Sequence, residues 1–190
     1  MKFNLFLSYT RTPDGALARE VERFLEAFHQ TPPPAGRDQP LPPLQVCLDG
    51  SDFSLPPVDA AATEAERRDV FDVIIAHLAQ SRELLVLGSR CAARSTWVDD
   101  EVSWFIEHSG AARVRLAFTE GEAPWKSPRE FFPPSVVDHK LHEGIAYELR
   151  GYDADRSAGW HQVPEFQREV VRLAADLCGL SAGDLYPSWL

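Results

Sequence analysis

Apolar positions along the chain follow two different spacings, which predicts an alternation of strands and helices. Short continuous apolar runs are typical of strands buried on both faces. Between these runs, apolar residues recur every three or four positions, as on one face of an amphipathic helix. The five predicted strands cover residues 3–9, 44–48, 84–87, 114–118 and 145–149.

Four helices are predicted, each with one apolar face turned towards the sheet. Thr12 followed by Pro13, Ser95 and Pro164 are typical helix starts, and Gly179 is a typical helix end. The inward positions of the four helices, in chain order, are Leu17, Val21, Phe24, Leu25 and Phe28; Val70, Phe71, Ile74, Ile75 and Leu78; Val98, Val102, Phe105 and Ile106; and Phe166, Val170, Leu173, Ala174 and Leu177.

This alternation predicts an α/β fold, a parallel sheet with helices on both faces, formed by residues 1–190 as a single domain. Ligands of such sheets bind beyond the carboxyl ends of the strands. The segments expected there are 9–15, 49–60, 88–97 and 119–125.

Three connections interrupt the pattern. Residues 31–43 contain six prolines and are interpreted as a stiff surface loop, with an SH3-type ligand as the weaker alternative. A turn at 49–52 leads into a loop that continues to residue 63. Residues 119–143 show no clear period and are interpreted as a long loop with at most one helical turn.

Composition excludes several classes of protein. The formal net charge is -10, which argues against nucleic acid as a partner because such binders present a basic face. The cysteines Cys47, Cys91 and Cys178 form no CxxC pair, which favours a reducing compartment. Neither a signal peptide nor a membrane-spanning run is apparent, so a soluble cytoplasmic protein without membrane contact is expected.

Familiar motifs for cofactors and metals are absent from the sequence. No G-x-G-x-x-G follows the first strand, and neither a Walker A sequence nor a G-x-S-x-G elbow occurs. His139, His142 and Glu143 resemble a metal site only crudely and are interpreted as solvated polar residues. We therefore expect no metal and no bound cofactor.

Three segments together resemble a TIR (Toll/interleukin receptor) domain of the bacterial, NAD-consuming type. They are Leu-Phe-Leu-Ser-Tyr-Thr-Arg at 5–11, Val-Cys-Leu-Asp at 46–49, and Ser-Thr-Trp-Val-Asp-Asp-Glu at 95–101, the last matching the family's W-x-x-x-E pattern. A Thr-Glu-Gly-Glu turn at 119–122, followed by Trp125, adds to the likeness. The resemblance covers residues 3–120 well and the remainder loosely.

The resemblance implies a flavodoxin-like sheet of five strands and either NAD⁺ consumption or signalling through contacts between TIR domains. It also implies that the chain is the N-terminal part of a larger protein, with a further module or partner. Two features depart from the family pattern: the proline-rich insert, and the long segment after Asp49 that corresponds to the substrate-gating loop.

The resemblance singles out Glu101 as the catalytic residue. Cleavage of NAD⁺ releases nicotinamide as a neutral molecule, so the site must supply an anion beside an oxocarbenium-like ribose, as one carboxylate does in glycosidases. Trp97 precedes Glu101 by four residues, and is expected on the same helical face, flanking the bound ring. Asp99, Asp100 and Glu101 can equally be explained as acids at a helix N-terminus.

Further substrate-binding residues are expected at the strand ends. Ser8, Tyr9, Thr10 and Arg11 lie at the end of the first strand, and Ser8 is also expected to hydrogen-bond locally within the fold. Arg11 either pairs with the pyrophosphate or bridges to Asp14, and the sequence leaves both open.

Two more strand-end residues have alternative interpretations. Asp49 either stabilises the turn that follows it or contacts a ribose hydroxyl. Ser89, after the third strand, is a candidate donor to the ligand. Trp104 and Phe105 are interpreted as packing residues.

The residues and the resemblance are compatible with three functions. The first is an NAD⁺ hydrolase or cyclase in bacterial anti-phage immunity, activated by oligomerisation, for which NAD⁺ is the substrate and no cofactor is needed. The second is a non-enzymatic TIR adaptor that acts through homotypic contacts. The third is a nucleoside-processing enzyme of related topology, such as a deoxyribosyltransferase.

Overall fold

The computed structural model of the chain contains one parallel sheet of five strands. It describes residues 1–27, 43–49, 52, 63–121, 127–150 and 164–185. All neighbouring strands are parallel, in the order β2-β1-β3-β4-β5, which is the flavodoxin-like order. The predicted fold is therefore confirmed. The strands are β1 Phe3–Ser8, β2 Val46–Cys47, β3 Ser81–Gly88, β4 Val114–Phe118 and β5 Ala146–Glu148.

Helices follow the strands as the sequence predicts. They are α1 Arg11–Ala27, α2 Glu64–Leu78, α3 Thr96–Ser109, α4 Pro134–Asp138, α5 Pro164–Cys178 and α6 Ala182–Leu185. The short α6 lies beyond the last predicted helix. Single turns of 3₁₀ helix occupy Ala92–Arg94, Ala111–Arg113, Pro128–Glu130 and Leu141–Glu143.

The two faces of the sheet bury separate clusters of apolar side chains. Successive side chains of β3 point to opposite faces, so Leu85 and Leu87 pack with α1 and α5, while Leu84 and Val86 pack with α2, α3 and α4. Helices thus cover both faces. Strands buried on both sides explain why their sequences are apolar runs rather than alternating patterns.

Helix ends follow the capping chemistry expected from the sequence. Ser95 Oγ accepts from Val98 N at 3.3 Å at the start of α3. A capping box joins Thr63 and Glu66 at the start of α2. Gly179 has φ +67°, as the residue after α5 requires.

Strand boundaries differ from the sequence prediction at β3 and β5. β3 extends back to Ser81, because Glu83 is polar yet accepts from Arg115 Nε of β4 at 2.7 Å. A prediction from apolar runs therefore misses the part of β3 whose polar side chain is paired with a neighbouring strand. β5 is shorter than predicted, and Ile145, just outside it, is 71% exposed.

The segment after β4 is more ordered than the predicted long loop. Its described residues, 119–121 and 127–143, include α4 and two 3₁₀ turns, and they bury Phe131, Phe132 and Val136. The prediction of a loop with at most one helical turn is wrong here. A helix of five residues is too short to show a periodic pattern.

Several sequence predictions fall on residues outside the described ranges. These are the inward position of Phe28, most of the proline-rich insert, the loop at 53–62, and Trp125. Within the described ranges, every helix is too short or too polar to cross a bilayer.

Candidate active site

The carboxyl ends of the strands carry the predicted site residues to one edge of the sheet. Ser8 ends β1, Asp49 follows β2, Ser89 follows β3 and Thr119 follows β4. Because all strands are parallel, these ends meet at the same edge. The first turns of α3 begin at this edge and bring Glu101 to it.

Glu101 is a buried carboxyl held by the end of β1. Ser8 Oγ donates a hydrogen bond to Glu101 Oε2, so Ser8 bonds within the fold, but to a residue 93 positions away. Burial raises the pKa of Glu101 to about 8, nearby Asp49 and Asp100 also raise it, and the bond from Ser8 opposes the shift. The carboxyl is therefore poised to ionise when a positive charge arrives beside it.

Trp97 lines a cleft one helical turn before Glu101. The cleft has a volume of about 230 Å³ and lies between the N-terminal halves of α2 and α3. Trp97 is half-buried there, with its ring centroid 6.3 Å from that of Phe71. Glu101 has instead turned towards β1. Trp97 and Glu101 are therefore one helical turn apart, but Trp97 packs near Phe71 and Glu101 bonds to Ser8.

Arg11 pairs with Asp49, which corrects the suggested bridge from Arg11 to Asp14. Arg11 Nε and Nη2 are each 2.7 Å from Asp49 Oδ2. Tyr9 OH donates to the Asp49 carbonyl oxygen at 3.2 Å, and burial raises the pKa of Tyr9 to about 12, so its phenol stays protonated. The loop after β1 is therefore tied to the end of β2.

One oxygen of Asp49 remains free to accept a hydrogen bond. Within the described ranges, Oδ1 is buried and has no hydrogen-bond partner. A buried acceptor without a partner is costly. A donor from a bound molecule would satisfy this oxygen.

A second buried carboxylate, Asp14, connects three strand ends and was missed by the sequence analysis. It is 3% exposed and accepts from Thr10 Oγ1 at 2.7 Å, Ser89 Oγ at 2.8 Å and Thr119 Oγ1 at 3.1 Å. The available signal was a hydroxyl residue after each of β1, β3 and β4. The three hydroxyls meet at Asp14 because of the strand order, which the positions of hydroxyl residues in the sequence do not reveal.

Ser89 and Thr10 are occupied within this network. Ser89 Oγ donates to Asp14 and also accepts from Ala92 N at 3.1 Å, which orders the turn that precedes α3. Thr10 donates to the same carboxylate. Both hydroxyls therefore already have partners within the protein. Their contacts with substrate remain predictions.

Asp99, one of the acids at the N-terminus of α3, contacts the start of α4. It is half-buried, and its Oδ1 accepts from Ser135 N at the start of α4 at 2.8 Å. Asp100 is exposed. The acids of this turn therefore have separate roles: Asp99 fixes α4, Glu101 meets β1 and Asp100 borders the cleft.

Comparison with known proteins relates the chain to a characterised relative. No protein-family model matches the sequence. The chain is 25% identical to the NAD(+) hydrolase ApTIR of Actinoplanes sp. over an alignment of 192 positions, which covers 97% of this chain. The match spans only 24% of that relative's own length.

A solved structure of TIR domains also aligns with the chain. The TIR domains of the activated Roq1 resistosome match 90% of this chain and 82% of their own, at a TM-score of 0.43 and 14% identity. A likeness this distant carries no argument about fold or function. The strand order of the sheet and the ApTIR match confirm the resemblance predicted from the sequence: the chain resembles a bacterial TIR domain.

Proposed function

We propose that this chain cleaves NAD⁺ between its ribose and nicotinamide, with Glu101 as the catalytic carboxylate. The observation that carries the proposal is the buried Glu101 carboxyl, held by Ser8 at the ligand-binding edge of the sheet. The relative's activity as an NAD(+) hydrolase supports the same chemistry.

The reaction needs one anion and no general acid at the leaving group. The bond between ribose C1′ and the ring nitrogen breaks, and its electron pair goes to that nitrogen, so nicotinamide leaves as a neutral molecule. Ionised Glu101 stabilises the positive charge that develops on the ribose. Water then bonds to C1′ and loses a proton, which gives ADP-ribose.

Burial of Glu101 suits this role in two ways. A carboxylate removed from water attracts a nearby cation more strongly than an exposed one. The substrate's nicotinamide ring is positively charged, so its arrival favours the ionised form of Glu101. Substrate binding and formation of the active carboxylate are then coupled.

Neighbouring groups complete the proposed site. Asp49 Oδ1 accepts a ribose hydroxyl, which satisfies a buried oxygen that has no partner within the described ranges. Trp97 flanks the base. Arg11 contacts a phosphate oxygen while sharing its guanidinium with Asp49. Tyr9 holds the backbone of Asp49 in position.

The cellular role and the final product extend the same proposal. We infer an anti-phage function, activation by oligomerisation, and either ADP-ribose or a cyclic ADP-ribose as product. These inferences are supported by the resemblance to bacterial TIR domains.

Nicotinamide release tests the proposal directly. Wild type and Glu101→Gln are compared at high protein concentration with a crowding agent, with Glu107→Gln as a control that removes an exposed acid from the same helix. We expect Glu101→Gln to lower release by about 100-fold or more and Glu107→Gln to leave it unchanged. Equal release by wild type and Glu101→Gln would remove Glu101 from the mechanism, and no release by wild type would favour the adaptor function.

A further inference from the structure

The cleft between α2 and α3 contains two arginines beside its aromatic wall. Arg67 and Arg68 lie on the first turns of α2, and with Phe71 and Trp97 they border the cleft. Arg67 is half-buried and Arg68 is exposed. The cleft therefore combines planar rings with guanidinium groups that are open to solvent.

Neither arginine of the cleft is engaged in an ion pair within the part of the chain described. Arg11, Arg90 and Arg115 each pair with a carboxylate. Arg67 and Arg68 form no such pair, although two carboxylates border the same cleft. Their guanidinium donors are available to a ligand, and this fork of donors matches phosphate oxygens.

The two acids at the cleft are Glu64, the first residue of α2, and the exposed Asp100. Partial loss of solvent around its carboxyl and the nearby acids Asp99 and Glu64 raise the pKa of Asp100. A bare phosphate is a poor ligand for such a mixed cleft. A sugar phosphate fits better, because its hydroxyls donate to the carboxylates while its phosphate accepts from the arginines.

The dimensions of the cleft suit part of a dinucleotide. A volume of about 230 Å³ is smaller than most small-molecule sites and accommodates a nucleotide portion rather than a whole dinucleotide. Residues four apart on a helix have Cβ atoms roughly 5–6 Å apart, so Trp97 is one such step from Glu101. The Glu101 side chain points to β1, whereas that of Trp97 lines the cleft. A phosphate contact in the cleft requires a substrate with its ribose at Glu101 to extend its phosphate across this step.

We propose that Arg67 and Arg68 bind a phosphate of the substrate and make the site selective for phosphorylated nicotinamide nucleotides over nicotinamide riboside. This inference rests on the proposed function. It adds a phosphate contact on α2 to that of Arg11, whose guanidinium is already held by Asp49.

Binding and turnover are measured on the whole chain with the Arg67→Ala/Arg68→Ala double variant. ADP-ribose, which is not cleaved, is titrated by calorimetry, and KM and kcat are determined with NAD⁺ and with nicotinamide riboside. Arg168→Ala is the matched control, because it removes an exposed arginine from α5 on the opposite face of the sheet. Arg67→Lys/Arg68→Lys retains the charge but loses the planar fork.

We expect the double alanine variant to weaken ADP-ribose binding and raise KM for NAD⁺ by about tenfold or more, since charged hydrogen bonds are strong. Its kcat for NAD⁺ and its cleavage of nicotinamide riboside are expected to match wild type, and the lysine variant should be intermediate. Unchanged ADP-ribose affinity in the double variant, or no binding by wild type at millimolar ADP-ribose, would overturn the inference.

The two proposals fail in distinguishable ways. If wild type binds ADP-ribose through the arginines but releases no nicotinamide, the phosphate site stands and the hydrolase function does not. If NAD⁺ is cleaved with the same KM by wild type and double variant, the function stands and the phosphate contact on α2 is wrong. Circular dichroism of each variant checks that the helix content of the chain is unchanged.

Discussion

Glu101 occupies a buried position where ionisation of its carboxyl is unfavourable. Burial is the main cause of its raised pKa, while the Ser8 hydroxyl favours the ionised form by donating to it. The free protein therefore holds mostly the neutral acid at neutral pH. If the carboxylate is the active form, the concentration of active free protein rises with pH until the pKa is passed.

The raised pKa of Glu101 predicts how kcat/KM depends on pH. Since kcat/KM reports on the free protein, we expect it to rise by about tenfold per pH unit at acidic pH and to level off above about 8. Ser8→Ala removes a bond that favours the carboxylate, so its profile should shift to more alkaline pH. The measurement is nicotinamide release over roughly pH 5.5 to 9.5.

Ser103→Ala is the control for that experiment, because Ser103 is exposed on the same helix. Its profile should coincide with that of wild type. A kcat/KM that is flat across the range, or a Ser8→Ala profile shifted to acidic pH, would contradict the assignment of Glu101.

The site residues differ in how far sequence could identify them. Glu101 and Trp97 were predicted because the resemblance supplies a pattern whose positions are only four residues apart. Asp14 and the pairing of Arg11 with Asp49 were not, because each joins segments that are remote along the chain. Asp14 lies in the first turn of α1, where the sequence has no local feature that distinguishes a buried hydrogen-bond acceptor from a solvated acid.

At the scale of elements, β3 and the segment before α4 are fitted closely to each other. Gly88 ends β3, and a Cβ at this position would lie 2.3 Å from Cε1 of Phe132. The Phe132 ring is 1% exposed and packs against Phe118 of β4 with ring centroids 4.9 Å apart. The ring cannot move without disturbing the end of β4.

Gly88→Ala is therefore expected to destabilise the fold by on the order of 1–3 kcal/mol through overpacking. Thermal unfolding measures the effect as a lower Tm. Gly15→Ala is the matched control, because a Cβ there meets its nearest atom at an ordinary 3.7 Å within a helix. Equal Tm values for wild type and Gly88→Ala would show that Phe132 is not held as tightly as the packing indicates.

The predicted bounds agree with the structure better for long elements than for short ones. β1, β4 and α5 coincide with their predictions to within about one residue, because each buries a long apolar run or stripe. β5 and the helical turns at 127–143 are each only three to five residues long, although buried residues such as Phe132 and Tyr147 belong to the core clusters. Elements this short show no hydrophobic periodicity in the sequence, so only the completed fold defines their secondary structure.

For the whole molecule, the relevant property is association between copies of the chain. The formal net charge of -10 makes identical copies repel one another at long range. Ions screen this repulsion over about 10 Å at 0.1 M salt. The proposed activation by oligomerisation therefore requires either a high local concentration or contacts strong enough to overcome the charge.

We expect the specific activity for nicotinamide release to rise with protein concentration at constant ionic strength. Sedimentation velocity on the same samples measures the fraction of associated chains, and activity should follow that fraction. Specific activity that is constant from nanomolar to high micromolar protein, with a single sedimenting monomer, would contradict activation by self-association.

The sequence by itself determined the class of fold and the catalytic candidate. Apolar runs and amphipathic spacing are local properties, and they suffice to predict a parallel α/β sheet with helices on both faces. Only the tertiary structure decided which side chains meet at the edge of that sheet. Glu101 meets Ser8 across 93 positions and Thr119 meets Asp14 across 105, because strand order, rather than proximity along the chain, sets these contacts.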